Sequence, residues 1–168
     1  MQFAKDSFYI ALRDRLAAVN PARTVAINGT VRPAVLVAEN EPVSAASLLP
    51  NVFQVTWMAA QAVPGEDAAK RPLIALACQI RYGTSGTLDG GVDSGRVMAA
   101  LDTELLEISS PGRTNKQDYT QAAPVDLGSF VIWTKPALKP IETDRKTGLA
   151  LARNAELTVF FFPEVSLP

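Results

Sequence analysis

Hydrophobic positions near the start of the chain repeat at helical spacing. The apolar residues lie three or four positions apart: Phe8, Leu12, Leu16 and Val19. Asp6 or Ser7 can accept hydrogen bonds from the first-turn amides, and Pro21 ends the segment because proline cannot continue a helix. The pattern therefore predicts an amphipathic helix over residues 6–19.

Short runs of β-forming residues follow this helix. Residues 24–27 and 31–38 are separated by Asn28 and Gly29, which tolerate the positive φ of a tight hairpin turn. The next stretch, residues 40–51, has no periodic pattern. The sequence predicts a β-hairpin followed by a loop.

Two longer segments alternate between apolar and smaller or polar residues. They cover residues 53–59 and 74–82, and the connector at 64–71 carries a Pro-Gly pair and several charges. Such a connector suits a solvent-facing hairpin loop, because antiparallel strands need no crossover helix. We expect these segments to be neighbouring strands of one sheet.

A second helical pattern follows a glycine-rich loop at residues 83–95. Its apolar residues again repeat every three or four positions: Val97, Leu101, Leu105 and Ile108. Asp93 or Ser94 is expected to cap this helix, and Glu104 and Glu107 are expected on its solvated face.

The last third of the chain contains a polar stretch and two apolar ones. Residues 109–127 carry two prolines and a glycine and are predicted to be a long loop, of the kind that is often functional. Residues 130–134 and 156–162 are rich in β-formers and are predicted to be strands. Between them, the charged and proline-containing run at 135–146 is predicted to be a solvated loop or an arm that docks on a partner.

The order of these elements predicts the fold class. A helix, several strands, a second helix and further strands indicate an α+β fold, with an antiparallel or mixed β-sheet and two helices packed on one face. A chain of 168 residues fits a single domain spanning residues 1–168.

Composition and charge then exclude several classes of protein. The formal net charge of -1, without a basic cluster, argues against nucleic-acid binding. Cys78 is the only cysteine, so no intramolecular disulfide is possible and a reducing compartment is expected. No window approaches the roughly 20 apolar residues that cross a bilayer. The first residues lack the pattern of a signal peptide, so a cytoplasmic location is expected.

The residues available for chemistry are few. The chain contains no histidine, which removes the commonest general base and metal ligand. The loop before the second helix has Arg96 and Val97 where a phosphate-binding loop needs lysine and serine or threonine. Asp89 and Asp93 lack the spacing of a calcium loop. We expect no enzyme activity, no cofactor and no metal; a histidine-free enzyme that uses carboxylates is a further alternative.

The aromatic run near the end of the chain indicates assembly. Phe160, Phe161 and Phe162 place large rings on both faces of one strand, so either both faces are covered within the fold or one is covered by another chain.

Taken in order, these elements resemble the bacteriophage tail terminator or tail-completion family, which has counterparts in contractile injection systems. The resemblance rests on element order and hydrophobic pattern, in the segments FYIALRDRLAAV, VRPAVLVAE, FQVTWMAA, PLIALACQIRY, GRVMAALDTELLEI and AELTVFFF. This chain is longer, mainly at residues 64–71 and 109–127.

The resemblance implies a structural role. It implies a ring of copies of this chain, typically six, that caps the tail tube, stops its polymerisation and contacts head-connector proteins. The protein would then reside in the virion tail, after assembly in the cytoplasm of the bacterial host. Candidate interface segments are the loops at 83–95 and 113–117, and the candidate interface residues are Arg96, Arg113, Lys116, Phe160 and Phe162. The alternative is a small, non-catalytic bacterial binding module for an apolar ligand or a protein partner.

Overall fold

A computed structural model describes residues 1–40, 49–64, 72–85, 92–143 and 151–164. The helices are α1 (Gln2–Val19) and α2 (Val92–Ile108). The strands are β1 (Thr24–Ile27), β2 (Thr30–Pro33), β3 (Val35–Val37), β4 (Phe53–Ala62), β5 (Ile74–Gly83), β6 (Arg113–Asp118), β7 (Val125–Trp133), β8 (Ala137–Leu138), β9 (Glu142–Thr143) and β10 (Leu151–Phe161). No helix in these ranges is long and apolar enough to cross a membrane.

The strands form two sheets. The larger sheet has the order β3-β4-β5-β10-β7-β6, and the short strands β8 and β9 pair with β10 beyond the end of β7. All pairings in this sheet are antiparallel except that of β3 with β4. Strands β1 and β2 form a separate two-stranded sheet, here called the ribbon. The α+β fold with a mixed sheet predicted from the sequence is confirmed.

The hydrophobic core lies between one face of the larger sheet and the two helices. The sheet curls, so α1 contacts β3 near one edge and β6 at the other. Phe8 of α1 packs edge-on against both Trp57 of β4 and Trp133 of β7, with ring centroids 5.5 and 5.1 Å apart. Alternate residues of β10 point into this core because side chains on a strand alternate between faces: Ala155, Leu157, Val159 and Phe161.

Residues 109–127 are not the long loop that the sequence predicted. They contain β6 and the start of β7, which pair antiparallel as a hairpin. Strand β6, with the sequence Arg-Thr-Asn-Lys-Gln-Asp, shows no alternation of apolar residues. It lies at the edge of the sheet, and side chains of helix α1 form hydrogen bonds with its backbone groups. Ser7 accepts a hydrogen bond from the amide of Gln117, and Arg15 donates to the carbonyl oxygen of Arg113. Polar side chains from α1 therefore cover an edge that would otherwise be open.

The predicted starts of both helices were also wrong, whereas α1 ends at Val19 as predicted. Helix α1 begins at Gln2, and Ser7, proposed as a cap, is buried inside it and donates its hydroxyl to the carbonyl oxygen of Phe3. Helix α2 begins at Val92, so Asp93 and Ser94 lie within its first turn rather than before it. Amphipathic spacing locates the body of a helix better than its ends.

Two further predictions need correction. The segment at 31–38 divides at Ala34, so that β2 belongs to the ribbon and β3 to the larger sheet. The described part of the charged run at 135–146 is mostly exposed, as predicted, but it also contains the two short strands β8 and β9, which pair with β10.

Parts of other predicted loops lie outside the described residues. These are residues 41–48, 65–71, 86–91 and 144–146, which include Asp89 and most of the glycine-rich loop.

Candidate functional site

The outward face of β7 and β10 carries large apolar side chains. Ile132 of β7 lies directly opposite Phe160 of β10, and both point away from the core because their neighbours Val131 and Val159 point into it. Phe130 and Phe162 follow at the next outward positions. Phe130 is 50 % exposed, whereas Ile132 and Phe162 are each 46 % exposed.

These side chains form one continuous surface, here called the outer patch. It comprises Leu127, Phe130, Ile132, Phe160 and Phe162, all of which line the same groove. Isolated exposed apolar side chains are ordinary on protein surfaces, whereas a continuous group of them indicates a binding surface.

The groove along the outer patch has a volume of about 900 Å³. It forms where the sheet narrows: β10 pairs with β7 only at Val131–Trp133, and β7 extends further in the direction of Val125. Gly128 has a φ of +67°, which bends β7 at an irregularity in its pairing with β6. The groove continues to Phe3 in the first turn of α1 and to Leu73 just before β5.

Charged groups fix the end of β10 beside the groove. Lys116 is only 4 % exposed, and its ammonium donates a hydrogen bond of 2.8 Å to the carbonyl oxygen of Phe162. A carboxylate oxygen of Glu164 lies 4.0 Å from the same ammonium, and the amino group of Met1 pairs with Glu164. Burial and the charge of Lys116 lower the pKa of the Met1 amino group. These contacts hold the segment 162–164 in place at the rim.

The structure gathers four of the five predicted interface residues around the outer patch. Lys116, Phe160 and Phe162 line the groove. Arg113 places its guanidinium 4.4 Å from the ring centroid of Phe130 and so covers one edge of the patch.

Arg96 lies elsewhere. It is on the first turns of α2, with a side chain that is 76 % exposed and paired with Asp93 at 3.2 Å. It does not belong to the lining of the groove.

Sequence reasoning missed Leu127, Phe130 and Ile132 as surface residues. The signal was present for two of them, because alternation along the predicted strand 130–134 places Phe130 and Ile132 opposite Val131 and Trp133. Leu127 could not be found because its segment was expected to be a loop.

The cysteine of this chain lies away from the groove along the outer patch. Burial raises the pKa of the Cys78 thiol to about 12, and Cys78 is 1 % exposed within the core. Among the described residues, no group of three or more histidine, cysteine, aspartate or glutamate side chains could hold a metal ion.

Comparisons with known proteins add little to the description of this site. No protein-family model matches the sequence, and no curated protein matches it. One solved structure, of a protein known only by a serial designation, is 17% identical over 97% of both chains, with a TM-score of 0.43. At that level of similarity the match assigns no function.

Proposed function

We propose that this protein is a structural subunit that assembles with copies of itself through the outer patch. The observation that carries the proposal is the continuous apolar face of the outer patch, in which Phe130, Ile132 and Phe162 are about half exposed and Phe160 is partly buried. Burial of large aromatic side chains dominates the energetics of interfaces. The outer patch therefore has the chemistry of a surface that another chain covers.

The magnitude of this burial indicates the kind of assembly. Full burial of an exposed aromatic or branched side chain contributes about 1.5–3 kcal/mol. The four exposed side chains of the patch, Leu127, Phe130, Ile132 and Phe162, are already half buried or more, so covering them contributes on the order of 4 kcal/mol in total. Association itself costs at least about 4 kcal/mol. A single contact of this kind is weak, and a closed ring, in which every copy makes two contacts, is favoured.

We infer that the assembly is a ring of the tail-terminator kind. Both the order of elements in the sequence and the apolar outward face of the sheet support this inference. Such a ring would cap a tail tube, stop its polymerisation and present a surface to head-connector proteins, in the virion tail assembled in the bacterial cytoplasm. The role needs complementary surfaces and no catalytic group.

A tube-growth experiment tests this function. Purified tail-tube subunits would be polymerised with and without the protein, and tube lengths measured by electron microscopy. We expect shorter, capped tubes with the wild-type protein and uncapped growth with a Phe130→Ser, Phe162→Ser double variant.

The matched control is Met58→Ser. Met58 is 54 % exposed but lies on β4, outside the lining of the groove, so the control should cap as the wild type does. Tubes that grow to the same length with and without the wild-type protein would rule out the terminator function.

The volume of the groove favours a second candidate function. Cavities of a few hundred to about 1,000 Å³ hold small ligands, and this groove falls in that range. A monomeric module that binds an apolar ligand would take up an apolar fluorescent dye with one site per chain, and Phe130→Ser would remove that site. In an assembled ring the same groove is covered, so dye binding should fall as the protein concentration rises.

A further inference from the structure

Lys116 is a buried lysine on the polar edge strand β6, where its neighbours are polar and mostly more exposed. The pairing of β6 with β7 is irregular between Asn115 and Gln117, where one residue of β6 lies opposite three residues of β7. Those three residues, 127–129, line the groove. A charged group is costly to bury unless it has partners, so a lysine at this place needs a reason in the structure.

The cross-strand pairs of β10 end just before Phe162. The last pairs described are those of Phe161, with Val131 on β7 and with Ile74 on β5. Pro163 comes next after Phe162 and has no amide hydrogen to donate. Phe162 therefore lies beyond the described ladder, although its ring is part of the outer patch and is 46 % exposed.

The ammonium of Lys116 contacts the backbone at the point where the ladder stops. It donates a hydrogen bond of 2.8 Å to the carbonyl oxygen of Phe162. Glu164 places a carboxylate oxygen 4.0 Å from the same ammonium and also pairs with the amino group of Met1, at the start of α1. Hydrogen bonds from a charged donor are stronger than those between neutral groups. The segment 162–164 is thus tied to β6 and to α1.

We propose that Lys116 is the positioning residue of the outer patch and holds Phe162 in the orientation that a second chain contacts. In its effect on association this proposal rests on the proposed self-assembly, whereas the hold on Phe162 does not. A surface that is ordered before it binds loses less conformational entropy on binding. A large side chain that becomes ordered only on binding weakens association by about twofold to tenfold.

A purely stabilising role for Lys116 would have different consequences. Loss of Lys116 would then weaken the protein to the same extent with or without the ring of Phe162. If Lys116 acts through Phe162, its loss should affect association only while Phe162 is present. Two residues that act together give non-additive effects in a double-mutant cycle.

A double-mutant cycle with Lys116→Met and Phe162→Ser tests the proposal. Methionine keeps an unbranched apolar side chain and removes the ammonium. The dissociation constant of the assembly would be measured by light scattering over a range of protein concentrations. We expect Lys116→Met to raise it by about fivefold to tenfold in the wild-type background and by less than about twofold in the Phe162→Ser background. Equal effects in both backgrounds would overturn the positioning role.

Hydrogen exchange followed by mass spectrometry reports on the segment itself, whether or not the protein assembles. Lys116→Met should speed exchange at residues 160–164 by at least about tenfold and leave β4 and β5 unchanged. Lys139→Met is the matched control, because Lys139 contacts Glu156 of β10 at 2.6 Å but its side chain is 44 % exposed. Exchange at 160–164 that is the same in all three proteins would overturn the proposal.

The same measurements separate this proposal from self-assembly. A wild-type protein that stays a monomer, but in which Lys116→Met still speeds exchange at 160–164, would overturn self-assembly and leave the hold on Phe162 standing. Acetylation of the wild-type lysines tests that hold even if Lys116→Met does not fold. Lys116 should react at least about tenfold more slowly than Lys139, and equal rates would overturn the proposal.

Discussion

Buried polar side chains in this protein join its secondary-structure elements through hydrogen bonds. Glu104 of α2 is 8 % exposed, forms a two-pronged pair with Arg23 and accepts a hydrogen bond of 2.7 Å from the side chain of Asn20. This network joins α2 to the segment between α1 and the ribbon. A carboxylate can be buried there because both of its oxygens have partners.

The first prediction concerns this network. Glu104→Gln should lower the free energy of unfolding by about 3 kcal/mol, because it leaves the guanidinium of Arg23 without its counter-charge in a largely buried place. Glu107→Gln is the matched control, since Glu107 is exposed on the same helix and its loss should change stability by less than about 0.5 kcal/mol. Urea denaturation measures both. Equal stability of the two variants would mean that the Glu104 network contributes little.

The second prediction concerns pH. Burial raises the pKa of Cys78 from 9.0 to about 12. Burial and a hydrogen bond of 2.6 Å to Asp102 also raise the pKa of Tyr82. At alkaline pH the folded state therefore keeps two protons that the unfolded chain releases. The free energy of unfolding is highest below about pH 9 and falls as the pH rises above it.

The urea midpoint measured from pH 8 into the alkaline range checks this prediction. Tyr82→Phe, which cannot ionise, should show a shallower loss of stability than the wild type over that range. A midpoint that does not change with pH would contradict the assignment of both groups.

For single residues, the sequence could predict which apolar side chains are buried but not which polar side chains are buried with partners. Cys78 is buried, as the alternation of apolar residues along its strand predicts. Glu104 was expected in solvent, and that expectation was wrong. Its spacing from Leu101 and Ile108 places it on the buried face of α2, but only the folded chain brings Arg23 and Asn20 to it.

Among the elements, the hairpin of β6 and β7 is the clearest difference between sequence and structure. Its first strand is polar because helix α1 covers its edge, with Arg15 donating to the carbonyl oxygens of Ile108, Pro111 and Arg113. Strands are predicted from the alternation of apolar residues. Strand β6 lacks this alternation because hydrogen bonds, rather than apolar side chains, hold it in place. By contrast, β4 and β5 have strong alternation and were predicted to within three residues of their ends, whereas β10 begins at Leu151, five residues before its predicted start.

The third prediction concerns the start of this hairpin. A Cβ atom at Gly112 would lie 2.5 Å from the carbonyl oxygen of Trp133, so Gly112→Ala must displace backbone. We expect a loss of stability of on the order of 2 kcal/mol, measured by thermal or urea denaturation.

The control for this variant is Gly95→Ala. Gly95 lies in α2 with open space around its Cβ position, so alanine there should stabilise the protein by about 0.5–1 kcal/mol. A neutral Gly112→Ala variant would show that β6 and β7 do not approach as closely as described.

The whole molecule has an apolar interior and, separately, apolar features at two ends of its surface. The curled sheet encloses α1 and leaves the outer patch on its convex side, while the ribbon projects near the opposite end of α1. The aromatic run in the sequence predicted that the two faces of β10 are covered either both within the fold or one of them by another chain. Neither the groove nor its separation from the ribbon could be predicted, because both depend on the order of strands in the sheet.

The most direct test of self-assembly through the outer patch is the molar mass in solution. Light scattering coupled to gel filtration, over a wide range of concentrations, should give the wild type a mass several times that of the 18.0 kDa chain. The Phe130→Ser, Phe162→Ser variant should give the mass of one chain, and Met58→Ser should match the wild type. A wild-type protein that keeps the mass of a single chain at every concentration would contradict the account.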